Sequence, residues 1–189
     1  MRRLLAAVIS CVLLAACSSN STLHNGDQTG FVSADGSAVV KDVSERGEVV
    51  DLSAADITNN VTWKLSEHRG EVVLLNAWGP WCAPCRKELP ELQKLSTEFS
   101  SKGLSIVGLA TRTNATATLA FTNKFKISYP QLADYDSAAL SRLPGIPSAT
   151  VPGTIFIDRM GRIAGWALGA ADPALIRSIT ESLLDESAS

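Results

Sequence analysis

Val72-Val73-Leu74-Leu75-Asn76-Ala77-Trp78-Gly79-Pro80-Trp81-Cys82-Ala83-Pro84-Cys85 decides how this chain folds. Residues 72–77 form an apolar run of the kind that marks a strand buried on both faces. Two cysteines three residues apart follow almost at once. Beyond them Leu89, Leu92, Leu95 and Phe99 recur at helical spacing, and Lys102-Gly103 supplies the stop. Strand, C-x-x-C turn and helix are therefore contiguous.

Outward from this centre, residues 104–109 predict a second buried strand and 115–125 an amphipathic helix, with a shorter helix at 137–143. Residues 154–158 and 162–167 flank Arg159-Met160-Gly161, which predicts a hairpin. Residues 173–184 predict a closing helix, with Asp172 at its N-cap and Pro173 at its first position. Upstream, 49–50 and 61–63 suit short edge strands, and 65–69 a turn. The order is β-α-β-α followed by β-β-α. Helical crossovers make the first strands parallel and a tight hairpin makes the last two antiparallel. The fold class is α/β, with a central mixed β-sheet flanked by helices.

The cysteine pair admits redox, zinc or structural readings when taken alone. Zinc needs four ligands, or three and a water; only His24 and His68 accompany Cys82 and Cys85, so no metal site is expected. A structural disulfide closing so small a loop stabilises little. Placement after a strand and at a helix start favours redox chemistry. There, unpaired backbone N–H groups and the helix dipole stabilise a thiolate, the form that attacks disulfides. Cys82 is then the nucleophile and Cys85, one turn on, resolves the mixed disulfide. Pro84 fits the first turn, where its missing N–H costs nothing.

The first 47 residues lie outside that pattern. Arg2-Arg3 precedes an apolar stretch at 4–14, and Leu14-Ala15-Ala16-Cys17 ends it with small residues and a cysteine. This resembles a bacterial lipobox, which implies a signal peptide at 1–16 and lipidation of Cys17. Residues 17–47, rich in Ser, Asn, Gly, Thr and Asp, are expected to be a flexible tether, with room for a short strand near 38–40. The folded domain is expected over 48–189. Loss of Arg2 and Arg3 leaves 15 basic residues against the 19 acidic ones of the chain. No basic run suits a nucleic-acid binder, and no other apolar run approaches the roughly 20 residues of a membrane span.

The segment 78–85 resembles the thioredoxin active site, with Pro90 matching the proline that kinks the following helix in many thioredoxins. Most of the domain is more similar to extracytoplasmic thiol–disulfide oxidoreductases of the TlpA/ResA/CcmG type. That likeness runs from about Val61 through 72–78 to Val151-Pro152-Gly153-Thr154-Ile155-Phe156-Ile157-Asp158 and Gly161-Arg162-Ile163. It implies that Pro152 is cis and faces the cysteines. Trp81, Val151 and Pro152 would then contact substrate. It further implies that Glu88, three residues after Cys85, tunes the thiols or moves their protons. Asn76 stands where thioredoxin has a buried aspartate, so that proton route is absent and Glu88 is the candidate to replace it.

The resemblance implies a monomeric enzyme held by lipid on the outer face of the bacterial cell membrane. It would reduce protein disulfides, apocytochrome c among them, with electrons from a membrane donor of the CcdA type. No cofactor is implied, since neither a G-x-G-x-x-G nor a P-loop spacing occurs. The C-x-x-C motif leaves direction open. A disulfide-donating oxidase of the same fold is the first alternative. A peroxiredoxin-like peroxidase fits less well, because its reactive cysteine typically lacks a partner three residues on. A copper-binding module of the Sco type would want C-x-x-x-C and a distal histidine.

Overall fold

All seven residues of the strand Val72–Trp78 are buried, which places it at the middle of the molecule. Its side chains alternate between two cores. Val72, Leu74 and Trp78 face one, and Val73, Leu75 and Ala77 face the other. The computed structural model describes residues 31–32, 37–146 and 150–186. The expected signal peptide, Cys17 and most of the expected tether fall outside these residues.

In chain order the strands are β1 (Phe31–Val32), β2 (Ala38–Val40), β3 (Ser53–Ala55), β4 (Thr62–Lys64), β5 (Val72–Trp78), β6 (Leu104–Thr111), β7 (Gln131–Asp134), β8 (Gly153–Ile157) and β9 (Ile163–Leu168). The helices are α1 (Cys85–Phe99), α2 (Ala115–Phe125), α3 (Ala138–Ser141) and α4 (Pro173–Asp185). Seven strands form one sheet in the order β1-β2-β9-β8-β5-β6-β7, while β3 and β4 form a separate hairpin. β5 pairs parallel with β6 and β6 parallel with β7, whereas β8 is antiparallel to both β5 and β9. The expected mixed sheet and terminal hairpin are both present.

Helical periodicity sets the packing. Leu89, Leu92, Leu95 and Phe99 of α1 meet Ile176, Ile179 and Leu183 of α4 on one face of the sheet. Phe121 of α2 joins them, its ring 5.0 Å from that of Trp78. The other face is covered by Leu140 and Leu143, and by Trp63 and Leu65 from β4 and the 3-10 turn after it. Asn114 and Asp172 cap α2 and α4, each accepting a backbone N–H in the first turn.

Several details differ from the sequence-based expectation. The helix expected at 137–143 shrinks to α3. β7 occupies a stretch with no predicted strand. Residues 49–50 contribute a single bridge, Val49 to Arg162, rather than a strand. The short strand expected near 38–40 is present as β2, but it is built into the main sheet beside β9 (Ala38 opposite Ala167) and carries β1 outside it. The sheet therefore reaches back past Glu48.

Arg46, 4% exposed, fastens this lead-in. It donates to Asp158 at 3.2 Å and to both carboxylate oxygens of Glu186 at 2.6 Å. Asp158 also accepts the backbone N–H groups of Met160 and Arg162, and so shapes the β8–β9 turn. This cluster lies at the C-terminal end of β8. Because β8 is antiparallel to β5, that is the opposite pole of the sheet from Trp78. Phe31 pairs with Val40 and therefore sits toward the same pole as Arg46.

Candidate active site

β5 delivers the chain to the end of the sheet, and residues 79–84 turn it into α1. The Cys82 N–H bonds the Gly79 carbonyl, and the Cys82 Sγ accepts the N–H of Cys85 at 3.3 Å. Cys82 thus stands three residues before the first helical residue rather than inside the helix. It still receives a backbone donor from the helix start, as thiolate stabilisation requires. Cys82 and Cys85 form a disulfide with a Cα–Cα separation of 5.4 Å. Cys82 is 4% exposed and flanked by exposed residues, whereas Cys85 is fully buried at 0%. That order of access makes Cys82 the sulfur a partner reaches first.

Glu88 lies one turn along α1 from Cys85 and is 6% exposed. Its Oε1 accepts hydrogen bonds from Asn76 Nδ2 at 3.3 Å and Thr154 Oγ1 at 3.2 Å. Asn76 also donates to Thr154 Oγ1 at 3.1 Å, which closes a triangle. Asn76 and Thr154 are cross-strand partners on β5 and β8, so the sheet register itself builds this cradle. Burial raises the Glu88 carboxyl to about pH 7, against the opposing pull of the bonds from Thr154 and Asn76. Its Oε2 has no protein hydrogen-bond partner, and neither has the buried Tyr129 hydroxyl. Burial, with a further contribution from the Glu88 charge, holds the Tyr129 phenol well above its ordinary range. Glu88 also lines a groove of about 270 Å³ between α1 and α4, with Leu92, Leu95 and Ile176 in its walls.

β8 brings the third component. The Val151–Pro152 peptide bond is cis, as the resemblance implied. Gly153 pairs with Ala77, which brings Pro152 beside the end of β5 from which the cysteine turn departs. Trp81, 47% exposed, folds back over Gly79 and donates from Nε1 to the Thr111 carbonyl at 3.3 Å. A Cβ on Gly79 would collide with that indole. Trp78 is fully buried and donates to Gln131 Oε1 at 2.8 Å, so it belongs to the core. Trp166 is packed against Lys41, as a structural side chain would be.

The structure thus gathers Cys82, Cys85, Glu88, Trp81, Val151 and Pro152 at one end of the sheet, while Cys17 lies outside the described residues. Sequence reasoning missed Thr154, whose partnership with Asn76 depends on register. It also missed Arg112, just after β6, whose guanidinium lies 4.4 Å from the Trp81 ring centroid. Among the described residues no three His, Cys, Asp or Glu side chains cluster as metal ligands. Nor is any described helix long and apolar enough to cross a membrane.

The model of the AhpC/TSA family matches residues 47–165. The thiol-disulfide oxidoreductase ResA of Bacillus subtilis (strain 168) is 27% identical over 165 residues, which is 87% of this chain and 85% of that protein. ResA of Bacillus thuringiensis subsp. konkukian is 29% identical over 100 residues, 53% of this chain and 56% of that protein. Among solved structures, a secreted thiol-disulfide isomerase from Corynebacterium glutamicum superposes with a TM-score of 0.75 and 28% identity, covering 83% of this chain and 99% of that one. A DsbF homologue from Corynebacterium diphtheriae gives 0.73 and 28%, covering 83% and 100%. These likenesses bear out the thioredoxin-like fold and the thiol–disulfide chemistry expected from the sequence.

Proposed function

The chain belongs to the AhpC/TSA family and is a thiol–disulfide oxidoreductase of the ResA type, and on that premise we propose that it reduces disulfides of protein substrates outside the cytoplasmic membrane. The Cys82 thiolate attacks one sulfur of the substrate disulfide. A mixed disulfide forms, and the other substrate sulfur leaves as a thiolate that takes up a proton. Cys85 then gives its proton to Glu88 and attacks Cys82 Sγ. The intramolecular disulfide forms, and the second substrate thiolate leaves and is protonated in turn. Two electrons pass from the cysteine pair to the substrate, whose two protons come from solvent, while Glu88 returns the Cys85 proton to solvent.

Support for this direction comes from Glu88. An ionised carboxylate beside two sulfurs disfavours their thiolates. Stabilising the reduced form makes such a pair oxidising; destabilising its thiolates makes it reducing. The two hydrogen bonds to Oε1 leave Oε2 free to take a proton. A carboxyl held at about pH 7 is suited to exchanging one near neutrality. Trp81, Val151 and the cis Pro152 form the wall against which the substrate segment lies.

The apocytochrome c haem-binding cysteines are the proposed substrate class. A reductase on the oxidising side needs electrons delivered across the membrane, hence a donor of the CcdA type. Residues 1–16 as signal peptide, lipidated Cys17 and a monomer complete the proposal. A second reading, disulfide donation or isomerisation, is favoured by the C. glutamicum relative, described as a secreted thiol-disulfide isomerase. The reduction potential of the Cys82–Cys85 pair separates the two. We expect about −220 mV or lower, in the glutaredoxin–thioredoxin range. A value near about −120 mV, that of a strong oxidant, would replace reduction by disulfide donation.

A further inference from the structure

Arg112 occupies an unusual position for so large a residue. It follows β6 at the end of the sheet where the cysteines lie, and its φ is +48°, in the left-handed region that arginine rarely adopts. Its backbone N–H bonds the Tyr135 carbonyl, which holds the residue against the end of β7. Its exposed guanidinium covers the Trp81 ring at 4.4 Å, and Trp81 is next to Cys82 in sequence. Backbone strain of this kind points to a position that the surroundings enforce.

Arg86 sets a second guanidinium on the same turn, donating to the Pro80 carbonyl at 3.1 Å. Among the described residues neither arginine is in an ion pair. The nearby acids on the β7–α3 connection are engaged elsewhere. Asp134 accepts the N–H groups of Ala139 and Leu140, and Asp136 accepts that of Ala138. The remaining exposed aromatic at this end, Tyr135, adjoins Arg112 through the backbone bond just described. Two guanidinium groups without ion-pair partners among the described residues and two exposed aromatic rings thus lie on this end of the sheet.

We infer that Arg112, with Arg86, is a specificity-determining residue that selects partner proteins carrying carboxylates next to their reactive cysteines. The inference rests on the proposed dithiol–disulfide exchange and names the substrate class of that same site. A guanidinium fixed on an indole is oriented in advance, so a substrate carboxylate gains an ion pair without a large loss of side-chain freedom. The attraction acts on the encounter and on the mixed disulfide. It therefore favours acidic partners whichever way the electrons run.

The test uses the full chain in nonionic detergent and two disulfide-cyclised peptides, identical except for Glu or Gln beside both cysteines. Reduced protein is mixed with each peptide, and the second-order rate constant is read from Trp81 fluorescence. Quenched, alkylated samples serve as the check, and the reverse reaction is run with reduced peptides. The wild type is expected to prefer the Glu peptide by roughly three- to tenfold at low ionic strength, a preference that shrinks in 0.5 M salt. Arg112→Asn, a neutral residue that tolerates left-handed φ, is expected to bring the ratio towards one, and Arg112→Lys to keep part of it. If Arg112 only lowered the Cys82 pKa, Arg112→Asn would slow both peptides equally and leave the ratio intact. That result, or a wild-type ratio of one, overturns the inference. Failure of the wild type to react with either peptide in either direction would instead remove the exchange chemistry beneath it.

Discussion

Glu88→Gln removes an ionisation while keeping an acceptor at Oε1 for Asn76 and Thr154. The wild-type carboxyl moves from 4.5 in the unfolded chain to about 7 in the fold. Between those values the folded protein binds more protons than the unfolded one. Stability therefore falls as pH climbs from 4.5 and levels off above about 7. Integrated from pH 5 to pH 8, the shift costs the wild type roughly 2–3 kcal/mol. Glutamine places an unpartnered N–H group where the protonated acid places an unpartnered O–H. That cost is common to both pH values and cancels in the comparison. Urea denaturation of the oxidised protein at pH 5 and pH 8 measures the difference. The wild-type midpoint should drop relative to Glu88→Gln by roughly 1 M, for a urea dependence of about 2 kcal/mol per molar. Parallel pH profiles for the two proteins would refute the buried, proton-holding carboxyl, and with it the proton-transfer role of Glu88.

Arg46→Ala strips a buried cation from Asp158 and Glu186, and is expected to lower stability by about 2 kcal/mol in the same denaturation assay, since Asp158 keeps its ion pair with Arg162 at 2.8 Å. A loss under about 0.5 kcal/mol would mean that the lead-in is not clamped. Gly165→Ala puts a Cβ into the Val39 carbonyl, so β2 must move away from β9. Hydrogen exchange should then quicken at Lys41 and Leu168, whose N–H groups bond across that seam. Unchanged protection at both would show that β2 does not pair there.

The centre of the fold was legible because its signals are local. An apolar run, a C-x-x-C turn and a 3.6-residue apolar repeat specify β5, the cysteine turn and α1 without long-range information. Asp172 and Pro173 marked the start of α4 in the same way. What escaped depends on contacts remote in sequence. β7 reads as irregular because its buried polar residues, Gln131 and Asp134, are satisfied by Trp78 and by the start of α3 respectively. A short strand near 38–40 was legible, but not its partner: Ala38 is buried only because β9 lies beside it. Glu88 shows both cases. Its place on the helix was readable, whereas its burial depends on Thr154, delivered by a strand 66 residues away.

The described domain begins at the pole opposite the cysteines, and under the proposed anchoring that placement has a geometric consequence. With Cys17 as the proposed lipid-bearing residue, the path to Phe31 spans at most about 50 Å when fully extended, and a domain of this size is roughly 40 Å across. Suspended upright, the protein turns its reactive end to the periphery, where soluble clients arrive, and its Arg46 pole to the bilayer. Under the proposed anchoring, collecting electrons from a membrane-embedded donor would require the domain to turn over, because its cysteine pole faces away from the bilayer in that posture. On that proposal recharging and delivery are mutually exclusive postures, and deleting residues between Cys17 and Phe31 is expected to starve the enzyme of electrons before it impairs its access to clients.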